Sequence, residues 1–209
     1  GLSEYFKITK DVHALYLAID LFNTIEKHSR DKLKGGYFEA YSKDWILLED
    51  LRLSEKDRND PKTMNTHLHI IEAYANLYTV WKNRELREAI IHLLELFDEF
   101  IIDKETAHLN LFFDATWNKT SQAISYGHDI ETSWLIDRGL EILNDPAVTE
   151  KLSPITDILA EQIYKIAYKD HSVINECERG VDNTTRVWWV QAESVLGFMN
   201  KQISDKQRY

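Results

Sequence analysis

Three times along this chain a strand-like or turn-rich connection runs into a helix, and the first two of those helices are each followed by a second. The connections centre on Gly35–Tyr41 (closing at Pro61), on residues 109–113 and on residues 176–180. The repeated unit is a connection plus helices, roughly 60–70 residues long, which exceeds a usual solenoid repeat. Such helical hairpins can stack into a solenoid or close into an (α/α) barrel, and periodicity alone does not choose. Glycine and proline number only 7 and 3 in 209 residues, which suits long helices and argues against an all-β fold.

Apolar spacing predicts six helices, over residues 8–29, 64–81, 83–102, 127–144, 147–168 and from about Arg186 to 204. In the first, Val12, Leu15, Leu17, Ala18, Leu21, Phe22 and Ile25 form a broad apolar face. Asn144-Asp145-Pro146 is a stop and restart signal. Gly35-Gly36-Tyr37-Phe38-Glu39-Ala40-Tyr41 reads as a short strand or hairpin.

Several classes are disfavoured. A formal net charge of −10 gives nucleic acid and anionic membranes little to bind, so neither is expected as a partner. No apolar run approaches membrane-spanning length. Cys177 is the single cysteine and cannot form an intramolecular disulfide, which fits a reducing, cytoplasmic setting. A signal peptide is not expected from the opening residues, although Gly1 is not an initiator methionine.

Polar and aromatic residues that do not suit a plain core gather where each connection enters its helix. In the first set Asn65, His69 and Glu72 stand at i, i+4 and i+7 on one helix face, where His69 is a site residue or a core histidine satisfied by hydrogen bonds. In the second, His128 and Glu131 stand at i and i+3. A carboxylate beside an imidazole holds one tautomer and stabilises the imidazolium, while a helix N-terminus opposes positive charge, so the expectation is two opposing effects that leave the group suited to acid–base work. In the third, Trp188, Trp189, Gln191 and Glu193 suggest a sugar platform, with indole for stacking and the amide and carboxylate for hydroxyls; one tryptophan is expected to be core. Gly197, eight residues after Trp189, keeps that helix stripe narrow. In a closed barrel the inner helices run parallel and these sets would line one pocket. His67 and His69, at i and i+2, point to different faces, and no metal site is expected.

The segments Met64-Asn65-Thr66-His67-Leu68-His69, Gly127-His128-Asp129-Ile130-Glu131-Thr132-Ser133-Trp134-Leu135 and Trp188-Trp189-Val190-Gln191-Ala192-Glu193 resemble signature segments of the N-acylglucosamine 2-epimerase family. Their wording looks most like its cellobiose 2-epimerase branch, and Gly35–Glu39 with Asp44-Trp45 is similar to a family loop. The resemblance covers nearly the whole chain. It implies an (α/α)6 barrel and an isomerase that opens a sugar ring, removes the C2 proton and returns a proton to the opposite face of an enediolate, without cofactor or metal. It implies that His128 is one of two acid–base histidines and that Glu131 assists it. Asn65 and His69 would sit around the reacting end of the sugar, and Trp188, Trp189 and Glu193 would contact substrate.

The family's second histidine segment, an arginine and a tyrosine have no counterpart here. Residues 1–209 are therefore expected to form a single domain, about half of the barrel, inactive alone and prone to self-association along uncovered edges. The substrate expected is a β-1,4-linked disaccharide such as cellobiose. N-acylglucosamine epimerisation or mannose isomerisation stands behind it, followed by glycoside hydrolysis using two of Asp44, Asp129, Glu131 and Glu193, and by non-catalytic sugar binding.

Overall fold

The computed structural model describes residues 1–52, 54, 55 and 58–207. It is mainly helical, with short strand pairs in the connections, and divides into two compact units: residues 1–96 with 112–120, and residues 97–111 with 121–209.

The first unit holds α1 (Leu2–Thr9), α2 (Val12–His28), α3 (Met64–Tyr78) and α4 (Arg84–Leu96). The single helix expected over 8–29 is two. Lys10 takes a left-handed conformation (φ 60°) and Asp11 caps α2 by accepting from the His13 N–H at 2.9 Å, so the axis breaks there. The apolar face read in α2 is only partly buried: Ala18 and Phe22 are inside, while Val12, Leu17 and Leu21 are exposed. α4 ends at Leu96, short of the expected residue 102, and a π-helical turn at Phe97–Ile101 follows. Among the described residues there are thus seven α-helices where six were expected.

The connection over Gly35–Tyr41 forms only isolated bridges, Arg30 with Tyr37 and Tyr41 with Leu47, not the expected strand. Its backbone is spent elsewhere, for the Tyr37 N–H donates to His67 Nε2 at 2.9 Å. Gly36 (φ +80°) must lack a side chain, since a Cβ would fall 2.4 Å from Trp117 and 2.6 Å from His67 Nε2. Lys62–Thr63 pairs antiparallel with Phe112–Phe113, and Thr63 then caps α3 by accepting from the Thr66 N–H.

His67 is the buried histidine of α3. Its Nδ1 lies 2.6 Å from the Thr63 carbonyl oxygen while Nε2 accepts from Tyr37, which fixes a neutral Nδ1–H tautomer. Burial is the main reason its pKa falls to about 4; the Thr63 carbonyl opposes this, and nearby Lys62 and His92 reinforce it. The unfolded chain, at about 6.5, takes the proton first. The stability His67 carries is therefore complete above pH ~6.5 and is lost as pH falls toward ~4, by roughly 3 kcal/mol in all. Urea midpoints across that window will fall more gently in His67→Gln than in the parent; equal slopes would exclude His67 as the cause.

The second unit holds α5 (Tyr126–Leu143), α6 (Pro146–Ile166) and α7 (Trp188–Gln207). Asp145 accepts from the Ala147 and Val148 N–H groups, with Pro146 in the first turn, as the Asn-Asp-Pro signal predicts. The core joins Tyr126 and Ile130 of α5, Ala160 and Ile163 of α6 and Val190 of α7. Gly197 lets α7 approach α5 closely: a Cβ there would meet Ile130 at 2.5 Å. Asp137 ties all three helices, accepting from Thr156 Oγ1 and Asn200 Nδ2, each at 2.6 Å. A small sheet joins Ile124–Ser125, Glu176–Glu178 and Val181–Asn183, and it delivers the chain into α5 at Ser125. No helix among the described residues is long and apolar enough to cross a membrane.

Candidate active site

In the second unit the sequence-predicted residues lie in the first two turns of α5 and α7. His128 is half-buried at the start of α5. Its Nδ1 is 2.7 Å from Ser125 Oγ, and its ring packs against Trp189, with centroids 4.9 Å apart and planes at 52°. Gly127 makes the contact feasible, because a Cβ there would lie 2.5 Å from the Trp189 ring. Glu131, one turn on, is buried at 8 % exposure.

The tandem tryptophans of α7 differ. Trp189 packs on α5, whereas Trp188 is 80 % exposed and offers a bare indole face. Glu193 is held by Trp134, whose indole Nε1–H donates to Glu193 Oε2 at 2.9 Å. Gln191 does not offer its amide to a ligand as the sequence suggested. Its side chain accepts from the Val173 N–H (3.0 Å) and donates to the Val173 carbonyl (2.8 Å), stapling α7 to the preceding connection.

Asn65 and His69 lie in the first unit. Asn65, His69 and Glu72 do share one exposed face of α3, opposite the buried Leu68 and Ile71. His69 Nδ1 lies 3.2 Å from Glu72 Oε2, and its side chain is half exposed, so it is not the core histidine; its neighbour His67 is. Among the described residues no cluster of three or more His, Cys, Asp or Glu side chains is placed to hold a metal.

Sequence reading missed Ser125, Trp134 and the role of Asp129. Asp129 is fully buried; Oδ2 lies 2.7 Å from His108 Nδ1 and Oδ1 accepts from the Leu109 N–H at 2.9 Å. Burial raises its carboxyl pKa and the His108 bond pulls the other way. Both oxygens are committed to anchoring residues 108–109 on α5, which withdraws Asp129 from the carboxylates that could serve a hydrolase. Asp44, another such candidate, is an exposed loop residue in the first unit, paired with Lys43.

Residues 7–209 match the N-acylglucosamine 2-epimerase (GlcNAc 2-epimerase) family. The chain belongs to this family. It is 46 % identical to the cellobiose 2-epimerase of Bacteroides fragilis over 202 residues, covering 96 % of this chain and 52 % of that protein. It is 40 % identical to the cellobiose 2-epimerase of Dictyoglomus turgidum, covering 96 % of this chain and 51 % of that protein. The solved cellobiose 2-epimerase of Bacillus thermoamylovorans B4167 matches with a TM-score of 0.91 at 38 % identity, over 98 % of this chain and 53 % of that one. The epimerase-family chain thus spans about half the length of the relatives it matches, and its helical hairpins are those of a partial (α/α)6 barrel.

Proposed function

We propose that the protein carrying this chain epimerises C2 of the reducing-end sugar of a β-1,4-linked disaccharide such as cellobiose. The observation that carries the reading is the His128 imidazole, held by Ser125 and Trp189 at the start of α5 with buried Glu131 one turn away. In the open-chain sugar the C1 aldehyde acidifies the C2 proton. His128 Nε2 takes that proton, the C–H electron pair becomes the C1–C2 double bond, and negative charge settles on O1 as an enediolate. A proton delivered to the other face of C2 completes the inversion. Glu131 stabilises the imidazolium that forms. Asn65 and His69 bind polar groups near the reacting end; Trp188 and Trp189 serve as the stacking platform and Glu193 binds a hydroxyl. The second acid–base residue comes from outside residues 1–209, so the isolated chain is inactive.

The names of the relatives favour a disaccharide over N-acylglucosamine or mannose. The commitment of Asp129 weighs against hydrolysis. The test is NMR of the complete protein with cellobiose in deuterated water. Deuterium at C2 and a new glucosylmannose signal are expected; release of monosaccharides, or no exchange, would sink the reading.

Two finer expectations belong to the same proposal. Exposed Val12, Tyr16 and Leu21 on α2, and Val195, Met199 and Ile203 on α7, favour pairing of the isolated chain with a second copy. Sedimentation velocity will show dimers at micromolar concentration; a strictly monomeric chain would rule this out. A cytoplasmic location agrees with the lone, buried Cys177, and cell fractionation tests it.

A further inference from the structure

Ser125 stands at the N-cap of α5 with an extended backbone (φ −111°, ψ 105°), yet its side chain makes no capping bond. A serine there ordinarily accepts from a backbone N–H two or three residues on. This one turns away from the helix N–H groups and lies 2.7 Å from the ring nitrogen Nδ1 of His128. The residue that would normally stabilise the helix start is spent on an imidazole.

Resting on the epimerase reading above, we infer that Ser125 is a positioning residue that holds the His128 ring in one place through both of its protonation states. While Nε2 takes up and gives back a proton, Nδ1 keeps its hydrogen in the neutral ring and in the imidazolium alike, and Oγ accepts it in both. The ring therefore need not move as Nε2 gains or loses a proton, and the tautomer that leaves Nε2 bare is favoured. A carboxylate in the same place would also accept from Nδ1–H, but its charge would favour the imidazolium; a neutral hydroxyl holds the ring without that bias. Epimerisation is reversible, so an imidazole that removes the C2 proton of one epimer must return it in the opposite direction; a partner indifferent to the direction suits that task. Trp189 packs against the same ring, and the absence of a side chain at Gly127 admits it, so the imidazole is held by a hydrogen bond at Nδ1 and by a ring contact.

The experiment compares the complete protein with its Ser125→Ala and Ser125→Thr variants. Ser125→Ala will lower kcat for cellobiose about 10- to 100-fold in both directions, with KM changed less than about twofold and the unfolding midpoint unmoved. Ser125→Thr, which keeps the hydroxyl, will recover most of that loss. In parallel, 15N NMR of the histidine rings without substrate will show that Ser125→Ala changes the Nδ1–H to Nε2–H ratio of His128. A lower unfolding midpoint with kcat and the tautomer ratio both unchanged would make Ser125 an ordinary helix cap and overturn the proposal. An unchanged tautomer ratio alone would also overturn it. If the parent protein does not turn over cellobiose but the tautomer ratio still moves, the epimerase reading fails while the hold of Ser125 on the ring stands.

Discussion

His128→Ala in the complete protein will lower kcat for C2 epimerisation of cellobiose by about 100- to 10,000-fold, the range that a positioned acid–base group supplies. KM will change little, because the sugar is proposed to be held by other groups: the Trp188 and Trp189 faces, Glu193, and the polar face of α3. The fold will survive. His128 lies outside the apolar core of its unit, and α5 is anchored independently by Asp129 through His108 and Leu109. Deuterium incorporation at C2 reads the chemical step directly, and sugar affinity measured by calorimetry serves as the control. A variant within tenfold of the parent rate would remove His128 from the chemistry. If the parent bound sugar without exchanging the C2 proton, and the variant bound it equally well, the chain would be a sugar-binding module.

The prominence of His128 could be read from the sequence, but the machinery around it could not. The His-x-x-Glu spacing places two side chains on one face, and the periodicity places that face at a helix start. Both follow from local geometry, and so do α3, α5 and α6, whose bounds fall within a few residues of expectation. The capping signals at Thr63 and Asp145 are local too. The break at Lys10–Asp11 was also local and could have been found: an aspartate just before the apolar run at Val12 is an N-cap signal.

What could not be read depends on pairs far apart in the chain. Trp134 meets Glu193 across 59 positions and His108 meets Asp129 across 21. Nothing in a helical period marks such partners. Gln191 shows the resulting error: its residue type suggested a hydroxyl ligand, but a connection folded against α7 claimed both ends of its amide. Histidines invert the same way. In Asn-Thr-His-Leu-His the two rings take opposite faces, and only the packing of Tyr37 shows that His67 is the satisfied core residue and His69 the exposed one.

Lys62 is the clearest case of a residue with no sequence signal, and its removal carries the second large expected effect. It is fully buried, and its three ammonium hydrogens meet three acceptors, Asp31 Oδ2, the Gly35 carbonyl and the Ala115 carbonyl, each at 2.8 Å. The Phe38 and Trp117 rings flank it, with centroids 5.2 and 4.9 Å from Nζ. Desolvation works to raise the Asp31 carboxyl pKa, but the Lys62 bond and the Leu33 and Lys34 N–H groups win and hold it below its ordinary value. One ammonium thus joins the 31–35 turn, the strand leading into α3 and the 114–117 turn. Lys62→Met removes the charge but leaves a nearly buried carboxylate and two carbonyls without their donor, and it will destabilise the chain by about 3–5 kcal/mol. Asp31→Asn keeps an oxygen for the Leu33 and Lys34 N–H groups, so the double variant, with both charges gone, will cost clearly less than the sum of the two single changes. Denaturant midpoints for all four proteins close the cycle. A Lys62→Met protein within about 1 kcal/mol of the parent, a cost typical of surface pairs, would mean that the ammonium is solvated. The first turn of α3, which begins two residues after Lys62 and carries Asn65, will exchange its amide hydrogens faster in Lys62→Met. That outcome would link a buried charge in a connection to the order of the polar face that α3 presents.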